Sequence, residues 1–162
     1  NMKPSLKTDN DRKALWDAFN KCTISTIGTD HAPHTEEEKE SKNPPYGVPG
    51  VETRVPLFMD AVNKNRTTLK RVIETMCENP AKIFKIKNKG FIKEGKDADL
   101  TIVDMKLRKN VRNDGLFTKC GWSPFDGYEL KGWPITTIVN GKVVFENGEV
   151  YDKIKAKEAI IG

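Results

Sequence analysis

The apolar residues of this chain keep two different periods, and the change between them falls near residues 85–90. Before it, three helical stripes recur at spacings of three and four residues, as one buried helix face requires. They are Leu15, Trp16 and Phe19, then Val55, Phe58, Met59 and Val62, then Leu69, Val72, Ile73, Met76 and Cys77. Thr8 with Asp11 three residues on marks the start of the first helix, which ends before Cys22. Pro56 is tolerable in a first turn, and Asn79-Pro80 should stop the third helix, leaving residues 81–86 for one more short turn. Between the first two stripes, the β-branched run 23–29 reads as a strand. After the change of period, residues 99–104 read as a strand and residues 135–151 as a meander. Asn140-Gly141 and Asn147-Gly148 are two-residue turns of the kind that needs positive φ. The expected organisation is a helix-strand-helix piece over residues 1–86 and a β-rich piece over residues 87–162.

The chain's 162 residues are fewer than the roughly 200 that a complete (β/α)8 barrel needs. No window approaches the ~18 consecutive apolar residues of a membrane span, and no basic-then-apolar leader opens the chain, so a cytoplasmic protein without a membrane partner is expected. Position 1 is Asn rather than Met, which suggests an internal start. Cys22, Cys77 and Cys120 are scattered and odd in number, and read as free thiols. The formal charge is +5, with a local excess at Lys82, Lys85, Lys87, Lys89, Lys93 and Lys96. These lysines lack the interleaved arginines of a base-stacking surface. They read as a solvated basic face able to draw in an anionic substrate, with no nucleic-acid partner.

Chemistry concentrates at Thr29-Asp30-His31-Ala32-Pro33-His34-Thr35. Asp30 ends the expected strand and opens a segment punctuated by Pro33, Pro44, Pro45, Gly47, Pro49 and Gly50, which forbids regular structure and marks a long, shaped loop. A carboxylate at a strand's C-terminal end beside two imidazoles is where a barrel enzyme places metal and proton-transfer groups. A purely structural reading is equally open at this point: Asp30 caps the loop and the histidines are surface residues. His31 and His34 have the spacing of a metal pair, although Pro33 between them breaks helical presentation. The acidic run Glu36, Glu37, Glu38 and Glu40, interrupted by Lys39, reads as a solvated helix start. Trp122 and Trp133, near Pro124 and Pro134, read as an irregular packed connection without a binding role.

The string D-H-A-P-H-T followed by E-E-x-K, then P-P-Y-G-V-P-G-V-E-T and later E-N-P-A-K-I-F, resembles the dihydroorotases of the amidohydrolase superfamily over nearly the whole chain. The resemblance implies an α/β fold: the C-terminal portion of a (β/α)8 metal-dependent hydrolase barrel plus part of a flanking small β-sandwich domain. It implies a reversible, zinc-dependent cyclic amide hydrolysis of L-dihydroorotate to N-carbamoyl-L-aspartate in pyrimidine biosynthesis. Asp30 would touch one of two Zn2+ ions and shuttle a proton, the other ligands lying outside this chain. His34 would bind the substrate's exocyclic carboxylate, and Tyr46 and Gly47 would present backbone groups to the ring. Lys3 sits where relatives carry Asn or Arg toward that carboxylate. The implied partners are a small-molecule substrate, the remaining N-terminal part of the same polypeptide and aspartate transcarbamoylase. Alone, the 162 residues are expected to hold no stoichiometric zinc and to be inactive. Two alternatives are a hydantoinase- or allantoinase-like cyclic amidase and a non-catalytic scaffold for aspartate transcarbamoylase.

Overall fold

The computed structural model describes residues 2–5, 8–151 and 158–162. Helix α1 (Asp9–Asn20) starts at a capping box in which the Thr8 hydroxyl accepts from the Asp11 amide and the Asp11 carboxylate accepts from the Thr8 amide. It ends in a Schellman motif: Cys22 adopts φ 62°, its amide donates to Phe19 O, and the Thr23 amide donates to Ala18 O. Phe19 is buried and packs with Trp16 and Phe58 at centroid separations of 5.6–5.9 Å, while Leu15 stays exposed.

The run 23–29 is irregular, because among the described residues it has no strand partner. Side chains from the third helical segment hold it instead. Arg71 is 6% exposed, and its guanidinium donates to Phe19 O at 2.7 Å, a second donor there beside the Cys22 amide, and to Ile24 O. Asn79 Nδ2 donates to Ser25 O at 2.9 Å, and the Ile27 amide to Thr75 O at 3.2 Å.

Short helix α2 (Glu36–Glu40) is capped by Thr35 and Glu38 and buries nothing, as a solvated helix start should. Helix α3 (Arg54–Asn63) carries Pro56 in its first turn. The third segment departs from expectation. It runs as α4 (Leu69–Ile73), a π-helical turn (Glu74–Glu78) and α5 (Asn79–Ile83), so Asn79-Pro80 continues the helix rather than stopping it. The wide turn realigns the backbone so that Pro80 falls in the first turn of α5, where its missing N–H costs nothing. Its buried side is Arg71, Val72 and Thr75, whereas Leu69, Ile73 and Cys77 of the expected apolar stripe are exposed.

A four-stranded antiparallel sheet follows, in the order β1 (Leu100–Asn110), β2 (Glu129–Val139), β3 (Lys142–Glu146), β4 (Glu149–Val150). Both Asn-Gly pairs form turns, with φ of 49° and 76° at Asn140 and Gly141 and 50° and 96° at Asn147 and Gly148. β1 outruns its expected end because the register shifts between Asp104 and Arg108, where Asp104 Oδ1 accepts from the Lys106 and Leu107 amides. β2 starts before its expected limit, and Trp133 lies within it rather than in a connection.

Helix α3 packs on β2. Gly132 (φ 105°) lets the backbones meet: a Cβ there would lie 2.5 Å from Met59 Cβ. Asn63 Nδ2 donates to Met105 O and Lys131 O at 3.1 and 3.0 Å, and Asp60 Oδ1 accepts from the Lys131 amide at 3.2 Å. The two pieces expected from the sequence thus share a joint. The three cysteines are free, Cys22 and Cys77 exposed. Lys89 departs from the solvated basic face, pairing with Asp97 at 3.0 Å and with Asp99. No helix among the described residues is long and apolar enough to cross a membrane.

Candidate active site

The loop over residues 30–52 is closed by side chains bonding to backbone. Asp30 opens it in the left-handed region at φ 44°, a conformation that Asp adopts more readily than most residues. His31 then bridges to Val48, and its Nδ1 accepts from the Gly50 and Val51 amides at 3.1 and 3.4 Å. His31 is therefore a loop-fixing residue with one ring nitrogen already used, which corrects its reading as a surface side chain. Lys39 extends from α2 and donates to Pro45 O and Gly47 O at 2.7 and 2.8 Å, drawing the returning chain against the outgoing one. Gly47 (φ 107°) is buried where the two segments touch, and a Cβ on it would stand 2.4 Å from Ala32 Cβ. Contact with Ala32 alone therefore explains why this position is glycine.

The Asp30 carboxylate is exposed and makes no hydrogen bond or ion pair with the described residues. His34 is half-buried; its Nδ1 lies 3.3 Å from Glu38 Oε2, the same oxygen that accepts from the Thr35 amide. Donation through Nδ1 leaves Nε2 free for a ligand. Lys3 and Tyr46, distant in sequence, meet: the ammonium stands 4.5 Å from the ring centroid, over a tyrosine that is 51% exposed. Asp30 has no such contact with either of them.

Two features of the site were missed from sequence. Glu52 accepts from the Phe117 and Thr118 amides at 2.9 and 2.7 Å and from the Thr118 hydroxyl, and Trp122 Nε1 donates to His34 O at 2.7 Å. Both tie the connection between β1 and β2 to this loop. Trp122 does lie in an irregular connection, but it reaches the site. With sequence separations of 65 to 88 residues, no local pattern announced these bonds.

The donor set does not amount to a metal centre. No cluster of three His, Cys, Asp or Glu side chains occurs among the described residues, and a catalytic zinc needs about three protein ligands. What the arrangement offers is an exposed carboxylate at the start of a tied loop that also carries an oriented imidazole at His34.

A model of the amidohydrolase family matches residues 1–144, so this chain belongs to that family of hydrolases. More particularly, it is similar to the dihydroorotase of Pyrococcus furiosus, with 49% identity over 157 residues that make up 97% of this chain and 37% of that protein. The multifunctional protein pyr1-3 of Dictyostelium discoideum is 38% identical over 92% of this chain, a stretch equal to 6% of that polypeptide. Among solved structures, the L-hydantoinase (dihydropyrimidinase) of Arthrobacter aurescens superposes with a TM-score of 0.88 at 38% identity, over 93% of this chain and 35% of that one. The fold is accordingly a portion of a (β/α)8 amidohydrolase barrel together with part of the small β domain beside it. The chain spans little more than a third of the curated relatives it matches.

Proposed function

We propose that the full-length polypeptide is a dihydroorotase, opening the ring amide of L-dihydroorotate to N-carbamoyl-L-aspartate and closing it again in pyrimidine biosynthesis. The observation that carries this reading is the Asp30 carboxylate, exposed at the start of the loop and without a partner among the described residues, while the neighbouring His31 and His34 are each engaged. A carboxylate so placed can take a proton from an attacking water and return it to the departing ring nitrogen, serving first as base and then as acid. His34 is assigned to the substrate's exocyclic carboxylate through Nε2, a charge-assisted contact. Lys3, poised over Tyr46, adds a second cation for that anion, and the backbone at Tyr46 and Gly47 faces the ring. These roles suit a dianionic open-chain product better than a neutral hydantoin.

Zinc is the metal we assign, two ions per complete site. Asp30 would supply one ligand, and the others would come from outside the described residues. The reading also places the protein in the cytoplasm, with aspartate transcarbamoylase as a candidate neighbour. The test is direct: the full-length polypeptide should turn over L-dihydroorotate and N-carbamoyl-L-aspartate in preference to hydantoin or allantoin. The structural likeness to L-hydantoinase favours the second reading, a hydantoin amidase. Faster hydrolysis of hydantoin than of dihydroorotate would establish it and remove the first.

A further inference from the structure

We propose that the connection between β1 and β2, residues 111–128, is a clamp on the site loop, with Trp122 and Glu52 acting as positioning residues for His34. The proposal rests on the assignment of His34 to the substrate carboxylate. At its base the clamp is fixed to the sheet. Val111, 2% exposed, donates to Tyr128 O and accepts from the Gly127 amide, both at 2.9 Å. Asn113 braces the interior, its amide donating to Asp126 Oδ1 at 2.9 Å and its Oδ1 accepting from the Ser123 amide at 2.8 Å. At its tip the clamp grips the loop twice, through the Trp122 indole on His34 O and through three donors on Glu52.

His34 is thereby fixed at two points. Glu38 sets the ring and Trp122 sets the backbone that carries it. Glu38 lies on the loop itself, whereas Trp122 lies outside it, so the clamp ties the backbone at His34 to the connection between β1 and β2. A displaced imidazole loses its aim at an anionic group even when its own ring contacts survive.

The experiment uses the full-length polypeptide with L-dihydroorotate as substrate, amide hydrogen exchange over residues 31–40, and thermal melting. Trp122→Phe keeps the aromatic packing and removes the donor; it should raise KM about five-fold, leave kcat within about two-fold, and speed exchange over the loop about ten-fold. Glu52→Gln keeps one acceptor oxygen and should produce a smaller change in the same direction. It decides the matter by the same readouts if Trp122→Phe fails to fold. Unchanged exchange overturns the clamp, and faster exchange with unchanged KM overturns its positioning role. His34→Ala is the control. An unchanged KM there removes the assignment of His34 made above, and the clamp then stands or falls on exchange in Trp122→Phe alone.

Discussion

The joint between α3 and β2 and the loop over residues 30–52 are held by opposite means. At the joint, buried Met59 meets a glycine, and Asn63 and Asp60 satisfy strand backbone at close range. In the loop only Gly47 and Pro49 are buried between residues 31 and 50, and closure depends on a few polar bonds from His31, Lys39, Glu52 and Trp122. Backbone contact in a buried interface resists any change of volume. A neutral side-chain hydrogen bond contributes only about 0.5–1.5 kcal/mol, and one to a charged group such as Lys39 or Glu52 about 1.5–3 kcal/mol. Substitutions at the joint should therefore cost stability and spare chemistry, and substitutions in the loop should do the reverse.

The largest effect expected on the loop side is that of Asp30→Asn in the full-length polypeptide. Asn adopts positive φ as readily as Asp, and no described partner is lost, so the fold should be untouched. Loss of the proton acceptor should lower kcat by about 10³-fold or more, on the order of 4 kcal/mol of barrier. Assay and melting together test it, and near-normal turnover would refute the role given to Asp30. Next comes Gly132→Val at the joint, which places a β-branched side chain at φ 105° against Met59. It should cost about 3 kcal/mol or more, read from the denaturation midpoint, with kcat/KM of the folded fraction unchanged. A stable variant with impaired catalysis would invert the comparison.

What could be read from sequence was local. The capping box of α1, the acidic start of α2 and both Asn-Gly turns depend on residues within four positions of each other, and all three took the expected form. Readings failed where a partner lay far off or a local signal was overridden. The run 23–29 has strand composition, but a strand needs a neighbour, and its carbonyls went to Arg71 and Asn79 instead. Pro80 looked like a stop until the π-helical turn moved it to a harmless position. Gly132 and Pro134 disguised the first half of β2; one admits α3, and the other sits beside a register shift that leaves Ile135 as an extra residue in β2. Within the site, Asp30 and His34 were visible as residue types in a motif. The fastenings of the loop, Glu52 and Trp122, were invisible because they exist only in the folded chain.

Lys39→Met sharpens the loop side at smaller amplitude. Removing an ammonium from the Pro45 and Gly47 carbonyls should cost about 1–2 kcal/mol locally. The expected signature is faster amide exchange over residues 46–48 and a KM raised a few-fold, with little change in melting temperature. A lowered melting temperature with normal exchange there would mean that Lys39 belongs to the core rather than to the loop.

Asp99 tests whether a polar bond far from the loop behaves as the comparison requires. Its Oδ1 accepts from the Asn140 amide at 2.7 Å, and its Oδ2 faces the Lys89 ammonium. The Asn140 amide first, and Lys89 second, hold its carboxyl below the ordinary aspartate range. Hydrogen bonds to Asp99 and then Asp97 raise Lys89. A carboxyl depressed in the folded state stabilises above the unfolded value, about pH 4, and loses that contribution as pH falls through the folded value. A raised ammonium stabilises below about pH 10 and loses its share as pH climbs through the raised value. The pair thus contributes a plateau between these limits. Asp99 is about one-third exposed, so solvent screening keeps the contribution to roughly 1 kcal/mol. Asp99→Asn should lower the melting temperature by a constant amount between pH 5 and pH 9, and the difference should close in acid as the wild-type carboxyl takes up its proton. KM and kcat should not move. A melting difference that persisted undiminished at about pH 2 would show that the Asn140 turn is held by shape rather than by charge.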